Sequence, residues 1–258
     1  MGDFVPAEPH LPPCRKFRRI TGKGFHSSMD DARHALDGSS ETIADRLALA
    51  IHEHRLRPGT KLSEDEVAEI FGVSRTIVRA ALQKLGHDRL VTLKRNRGAF
   101  VAQPSVREAR EVFEARALLE PRTARSAAGR CTPADLARLN AHIEEEHAAV
   151  AAGDMGRALR LSGLFHIEMA RIADQETIGG FITQLIARSS LIIALYWQRR
   201  AAVCDSTAHH ALLRALSEAD GDRAEDLMKG HLLDLVSSLD LRNLPQPPSS
   251  LKEALERD

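Results

Sequence analysis

Phe71-Gly72-Val73-Ser74-Arg75-Thr76-Ile77-Val78-Arg79-Ala80-Ala81-Leu82 is the stretch that decides the fold. Gly72 reads as the end of one helix, because glycine takes up a left-handed backbone without a Cβ penalty. Ser74 reads as the N-cap of the next helix. Two helices, over 63–71 and 74–86, joined by so short a turn predict a helix-turn-helix. In the second helix Val78, Ala81, Leu82 and Leu85 recur at helical spacing and form an inward face. Arg75, Thr76, Arg79 and Gln83 then project outward, with Arg75, Arg79 and Gln83 along one edge at four-residue intervals. Such an edge suits the major groove, where a guanidinium can bridge the O6 and N7 acceptors of guanine.

The flanks extend the pattern. Upstream, Ile43, Leu47, Ala50 and Ile51 mark a helix that begins near Glu41, and Arg57-Pro58-Gly59 breaks it as a turn. Ser63 with Glu66 three residues on predicts a capping box, and Val67, Ile70 and Phe71 form the inner face that follows. Downstream the period changes. Leu90-Val91-Thr92-Leu93 reads as a strand, Lys94-Arg95-Asn96-Arg97-Gly98 as a tight basic turn, and Ala99-Phe100-Val101 as the returning strand. Lys94, Arg95 and Arg97 at the hairpin tip read as a wing that reaches phosphate or the minor groove. The alternative is a three-helix domain with a surface charge cluster.

Charge supports a polyanion-binding face. The chain of 258 residues has a net charge of +0, but its cations are unevenly placed. Residues 41–103 hold 11 Lys and Arg against 8 Asp and Glu, a net +3, whereas 104–258 hold 19 against 23, a net −4. Between residues 74 and 101, Arg75, Arg79, Lys84, Arg89, Lys94, Arg95 and Arg97 face Asp88 alone. Aromatic residues make up only 4%, which argues against a stacking platform for single-stranded nucleic acid.

From Val106 to Asp240 every segment reads as helix, over 106–129, 132–152, 154–173, 175–200, 206–219 and 222–240. Thr132-Pro133 is an N-cap followed by proline in the first turn, and Gly153-Asp154, Asp174 and Gly221-Asp222 separate later helices. The expected fold class is therefore mainly α. An N-terminal winged helix-turn-helix domain (41–103) precedes an all-α bundle (106–240), between a flexible tail (1–40) and a C-terminal tail (241–258). The tail cluster Arg15, Lys16, Arg18 and Arg19 is either a phosphate contact or a solvated segment.

The motif resembles the winged-helix signature of the GntR family of repressors. Arg57-Pro58-Gly59-Thr60-Lys61-Leu62-Ser63-Glu64, the quoted Phe71–Leu82 stretch, Leu85, Leu90-Val91 and Asn96-Arg97-Gly98-Ala99-Phe100-Val101 carry the resemblance. It implies a homodimer on palindromic double-stranded operator DNA, with Arg75, Thr76 and Arg79 at bases or phosphates and Arg95 in the wing. Asp65 stands where some members have a basic DNA contact, so that contact is not carried over.

The remainder is similar to the fatty-acid-regulator-like C-terminal (FCD) sensor domain. Arg116-Ala117-Leu118-Leu119-Glu120, Phe165-His166, His209-His210-Ala211-Leu212-Leu213-Arg214-Ala215, Gly221-Asp222-Arg223-Ala224 and His231 carry that similarity. It implies a small, carboxylate-bearing effector, met by Arg116 and by His166, His209 and His231. Those histidines would hold a divalent metal such as Zn or Ni. The family's acidic ligand, one turn before the first histidine, is replaced here by Ser162, a weak neutral donor. A metal, a metal-free polar pocket and structural histidines therefore all stay open. For Arg116, the alternative to an effector contact is an ion pair with Glu120, four residues on. His209 and His210 point about 100° apart, so they do not serve one ion.

Other classes fare worse on sequence. Cys14, Cys131 and Cys204 are widely spaced, which fits reduced thiols in a cytoplasmic protein. No apolar run approaches the ~20 residues of a membrane span, and no secretory signal is recognisable. A metal-dependent hydrolase using the same histidines is the runner-up, but there is no HExxH motif, and Glu168 falls on another side of its helix from His166. An architectural DNA binder would not need a sensor-sized helical domain.

Overall fold

The computed structural model describes residues 38–197 and 206–242. The described residues belong to one compact unit. Residues 1–37 and 243–258 of the expected tails, the end of the 175–200 helix, Cys14 and Cys204 lie outside the described residues.

Three helices open the fold: α1 (Ser40–His52), α2 (Glu64–Phe71) and α3 (Arg75–His87). Ser39 caps α1 by accepting the Thr42 amide, and Gly72 ends α2 with φ 65. The capping box expected at Ser63 does not form. Ser63 and Ser74 sit at the N-caps with extended backbone, but neither side chain accepts a cap hydrogen bond. Three strands follow a topology that the hairpin reading anticipated only in part. The wing strands β2 (Val91–Lys94) and β3 (Gly98–Val101) pair antiparallel, with Lys94 opposite Gly98. A further strand, β1 (Lys61–Leu62), pairs with the other edge of β3, giving the order β1-β3-β2. The tip turns through Asn96 (φ 58) and Gly98 (φ 90), closed by the Arg97 amide donating to the Lys94 carbonyl at 3.0 Å.

The second part is helical throughout: α4 (Val106–Ala128), α5 (Pro133–Ala151), α6 (Met155–Ile172), α7 (Glu176–Tyr196), α8 (Ser206–Ser217) and α9 (Gly221–Ser237). Capping boxes at Ser105/Glu108 and Thr132/Asp135 start α4 and α5. By length and composition helix α7 is apolar enough to cross a bilayer, although Arg188 interrupts its apolar run. Here it packs against α1, α4 and α6.

The two parts share a core. Leu191 of α7 is buried within the cluster built from Ile43, Leu47, Ile51, Val67, Val78, Leu82 and Leu85. Burying one leucine contributes about 2 kcal/mol, so the winged helix and the bundle are not merely tethered. Polar contacts reinforce this seam. Glu53, just past α1, accepts from Arg160 of α6 at 3.1 Å, and His54 Nε2 donates to the Ser190 carbonyl at 2.9 Å. Gly156 of α6 lies so close to Glu53 that a Cβ there would stand 2.8 Å from the Glu53 carbonyl carbon. The intervening linker is pinned too: Tyr196 Oη donates to the Pro104 carbonyl at 2.9 Å.

Candidate functional site

The first candidate surface is the outer face of α3. Val78, Ala81, Leu82 and Leu85 are buried, and this fixes the helix rotation. Arg75, Thr76, Arg79 and Gln83 are all exposed as a consequence, and so are Lys94, Arg95 and Arg97 on the wing. The arginines are not idle in this DNA-free structure. Arg79 donates to Glu64 of α2 through Nε (3.0 Å) and Nη2 (2.6 Å), and Arg75 pairs with Asp65. Asp65 therefore holds an arginine of α3. Exposed pairs of this kind contribute only about 0–1 kcal/mol, so phosphate or base acceptors can replace the carboxylates. At the wing, Lys94 Nζ lies 4.8 Å from the Phe100 ring centroid.

The second candidate site is inside the bundle. His166 (α6), His209 (α8) and His231 (α9) come from three helices, and their donor nitrogens lie within 4.8 Å of one another. His166 and His209 are buried and His231 is half-buried. His231 Nε2 stands 3.3 Å from His166 Nε2. Phe165, next to His166, stacks on the His209 ring at 4.3 Å between centroids, which fixes that ring's plane.

Two carboxylates back the cluster. Glu146 Oε2 of α5 lies 3.0 Å from His209 Nδ1, and Glu120 Oε2 of α4 lies 2.7 Å from His166 Nδ1, although off the axis of a good hydrogen bond. A carboxylate on Nδ1 selects the tautomer that turns the Nε2 lone pair inward, the usual outer-sphere arrangement of a metal-binding histidine. The Nε2 of His209 is buried and has no hydrogen-bond partner among the described residues. Desolvation pushes the pKa of His166 down, and it pushes that of His231 well below the usual imidazole value, with the other two histidines adding to the effect. The Nε2 atoms of those two rings are thus available as neutral donors.

Arg116 is fully buried and binds Glu120 through Nε (2.6 Å) and Nη2 (3.2 Å). The ion pair left open by the sequence is thus present. Burial opposes ionisation of Glu120, but Arg116 and His166 overcome it and hold the carboxyl at about 2. Ser162 lies half-buried one turn before His166. Glu168 is tied to Arg138 (3.1 Å) and Arg171 (2.8 Å) and is not one of the clustered donors. Sequence reasoning missed Glu146. It is the third of three successive glutamates on α5, and only the packing shows that it turns inward while Glu144 and Glu145 face solvent.

These donors suit a borderline divalent cation. Three imidazoles can ligate it, and the adjacent Glu120 and Glu146 supply negative charge that Ser162 does not. Such an ion, when bound, would offer open coordination positions to water or to an anionic group.

Both parts of the chain match known protein families. Residues 39–101 match the family described as bacterial regulatory proteins, gntR family, and residues 111–234 match the FCD domain. The galactonate operon transcriptional repressor of Escherichia coli K12 is 32% identical over 194 residues, covering 65% of this chain and 82% of that one. The transcriptional repressor RspR of the same strain is 28% identical over 185 residues, covering 71% and 81%. Among solved structures, a GntR transcriptional regulator from Rhodococcus sp. RHA1 superposes with a TM-score of 0.68 at 26% identity, over 77% of this chain and 95% of that one.

Proposed function

This chain belongs to the GntR family of bacterial transcriptional regulators and carries an FCD domain, and from that premise we propose that it represses transcription as a homodimer whose hold on its operator is set by a small carboxylate bound at His166, His209 and His231. Residues 41–103 read DNA, and residues 106–240 sense the effector and dimerise. Arg75, Thr76, Arg79 and Gln83 enter the major groove, while Lys94, Arg95 and Arg97 meet backbone phosphate. Two-fold symmetry places the paired recognition helices on inverted half-sites.

The single observation that carries the sensor reading is the convergence of three histidines from three helices on one buried locus, each of two Nδ1 atoms facing a carboxylate. Zinc or nickel is the ion this donor set favours. Arg116 acts on this site through Glu120, which it keeps ionised against His166. The route to DNA is short. His166 shares α6 with Arg160 and Gly156, which contact Glu53 at the end of α1; Gly156 is about 15 Å from His166 along that helix. A shift of α6 on binding is delivered to the winged helix there, with a coupling of about 1–3 kcal/mol. The metal-dependent hydrolase gains no support from the relatives, which are named as regulators.

Calorimetry with zinc and with nickel on the wild type, His209→Ala and Ser162→Asp tests the reading. Ser162→Asp raises metal affinity and His209→Ala lowers it. If none of the three binds metal, and His209→Ala leaves ligand-controlled DNA release intact, the pocket is not the sensor.

A further inference from the structure

A second group of donors lies on the rim of the α5–α8 interface. Glu144 and His147 are three residues apart on α5 and so share a face. His210 is on α8, which packs directly on α5. Their potential ligand atoms all lie within 4.8 Å of one another. The His147 and His210 rings are 5.2 Å apart between centroids and inclined at 35°, and His210 Nε2 lies 4.0 Å from Glu144 Oε1. An independent observation points to a ligand. His147 Nε2 is shielded from solvent, yet it has no hydrogen-bond partner among the described residues. A buried imidazole nitrogen without a partner is costly, and a cation would satisfy it.

We infer that Glu144, His147 and His210 form a second divalent-cation site, separate from the His166–His209–His231 cluster and selective for a borderline ion such as zinc or nickel. Two imidazoles and one carboxylate make the donor set of an open zinc site, with water completing the shell. Metal–ligand bonds of about 2.0–2.1 Å require donors closer together than 4.8 Å. The side chains of Glu144 and His210 are 62% and 38% exposed, so both have room to turn inward. The same helix pair thus carries two histidine–carboxylate contacts: Glu146 with His209 inside, and Glu144 with His210 at the rim. A cation at the rim ties α8 to α5 beside His209. The inference needs neither an effector nor an occupied inner cluster.

The test is calorimetric titration of the full-length, chelator-treated protein with zinc, then with nickel. His231→Ala disables the inner cluster, His210→Ala the outer one, and circular dichroism checks that each variant is folded. The His231→Ala protein is expected to retain one binding event, which His210→Ala in the same background removes and Glu144→Gln weakens about tenfold or more. In the otherwise wild-type chain, His210→Ala is expected to bind one equivalent fewer, a reading that remains if the double variant does not fold. The inference is overturned if His231→Ala binds no metal, or if His210→Ala matches the wild type in stoichiometry and affinity. A wild-type chain whose metal binding is abolished altogether by His210→Ala and unchanged by His231→Ala would count against the sensor reading alone.

Discussion

Gly156→Ala strikes the seam between the winged helix and the bundle without touching DNA or the histidines. Gly156 is the second residue of α6, and an added Cβ would stand 2.8 Å from the Glu53 carbonyl carbon and 3.1 Å from its Cα, with the carbonyl oxygen nearer still. The obstacle is backbone, so no rotamer change relieves it. The end of α1 and the start of α6 have to separate by about 1 Å, and overpacking of this kind costs about 1–3 kcal/mol. Alanine's better helix propensity offsets at most about 1 kcal/mol of that. Separation also stretches the Glu53–Arg160 contact and loosens Leu191 in the winged-helix core. The expected results are a lower urea midpoint, faster proteolysis across residues 53–60, and a weaker effect of the pocket ligand on operator affinity. Intrinsic affinity for DNA is expected to stay near wild type. Wild-type stability, with ligand control of DNA binding undiminished, would refute this account of the seam.

Three further predictions follow from individual contacts. Asp65→Asn releases Arg75 and removes a negative charge beside the outer face of α3; if that face reads DNA, fluorescence anisotropy should show tighter DNA binding by about 0.2–1 kcal/mol, and more so at low salt. Glu146→Gln removes the carboxylate behind His209; metal affinity at the inner cluster should fall about 10–100-fold in calorimetry, with the stoichiometry retained. The third is acid sensitivity of the seam. Burial pushes both His52 and His54 down to about 4, with His54 and Arg160 adding to the effect on His52. The unfolded chain binds protons below about 6.5 where the folded seam does not. The stability contributed by neutral His52 and His54 is therefore full above that value and lost between about pH 6.5 and 4, at up to about 1.4 kcal/mol per pH unit for each histidine. Urea midpoints at falling pH should decline less steeply for His54→Gln than for the wild type.

Local chemistry made most of the elements legible. Gly72, Thr132-Pro133 and the Asn96–Gly98 turn behave as their residue types require, because caps and tight turns are decided within a few residues. Strand β1 was not legible. Lys61-Leu62 has no periodicity of its own and becomes a strand only by pairing with Ala99 and Phe100. Ser63 and Glu66 have capping-box spacing, but the Ser63 side chain makes no cap bond, so spacing alone did not decide that end. The three inner histidines were found through resemblance. Glu146, Leu191, and the group Glu144–His147–His210 required the fold, because each depends on which side of a helix another element covers. The Arg116–Glu120 pair was visible as a four-residue spacing, but its burial and its contact with His166 were not.

The proposed function depends on sequence-specific DNA reading by the outer face of α3. Selection of operators from a random DNA pool with the purified wild-type protein, followed by anisotropy titrations of Arg79→Ala and Lys94→Ala on the selected and on scrambled duplexes, tests it most directly. The selected sequences should converge on an inverted repeat. Arg79→Ala should lose about 1–3 kcal/mol on the selected duplex and little on the scrambled one, whereas Lys94→Ala should weaken both alike and lower the salt slope by about one. A pool that yields no inverted repeat, or an Arg79→Ala protein that binds the selected duplex as tightly as the wild type, would contradict the claim.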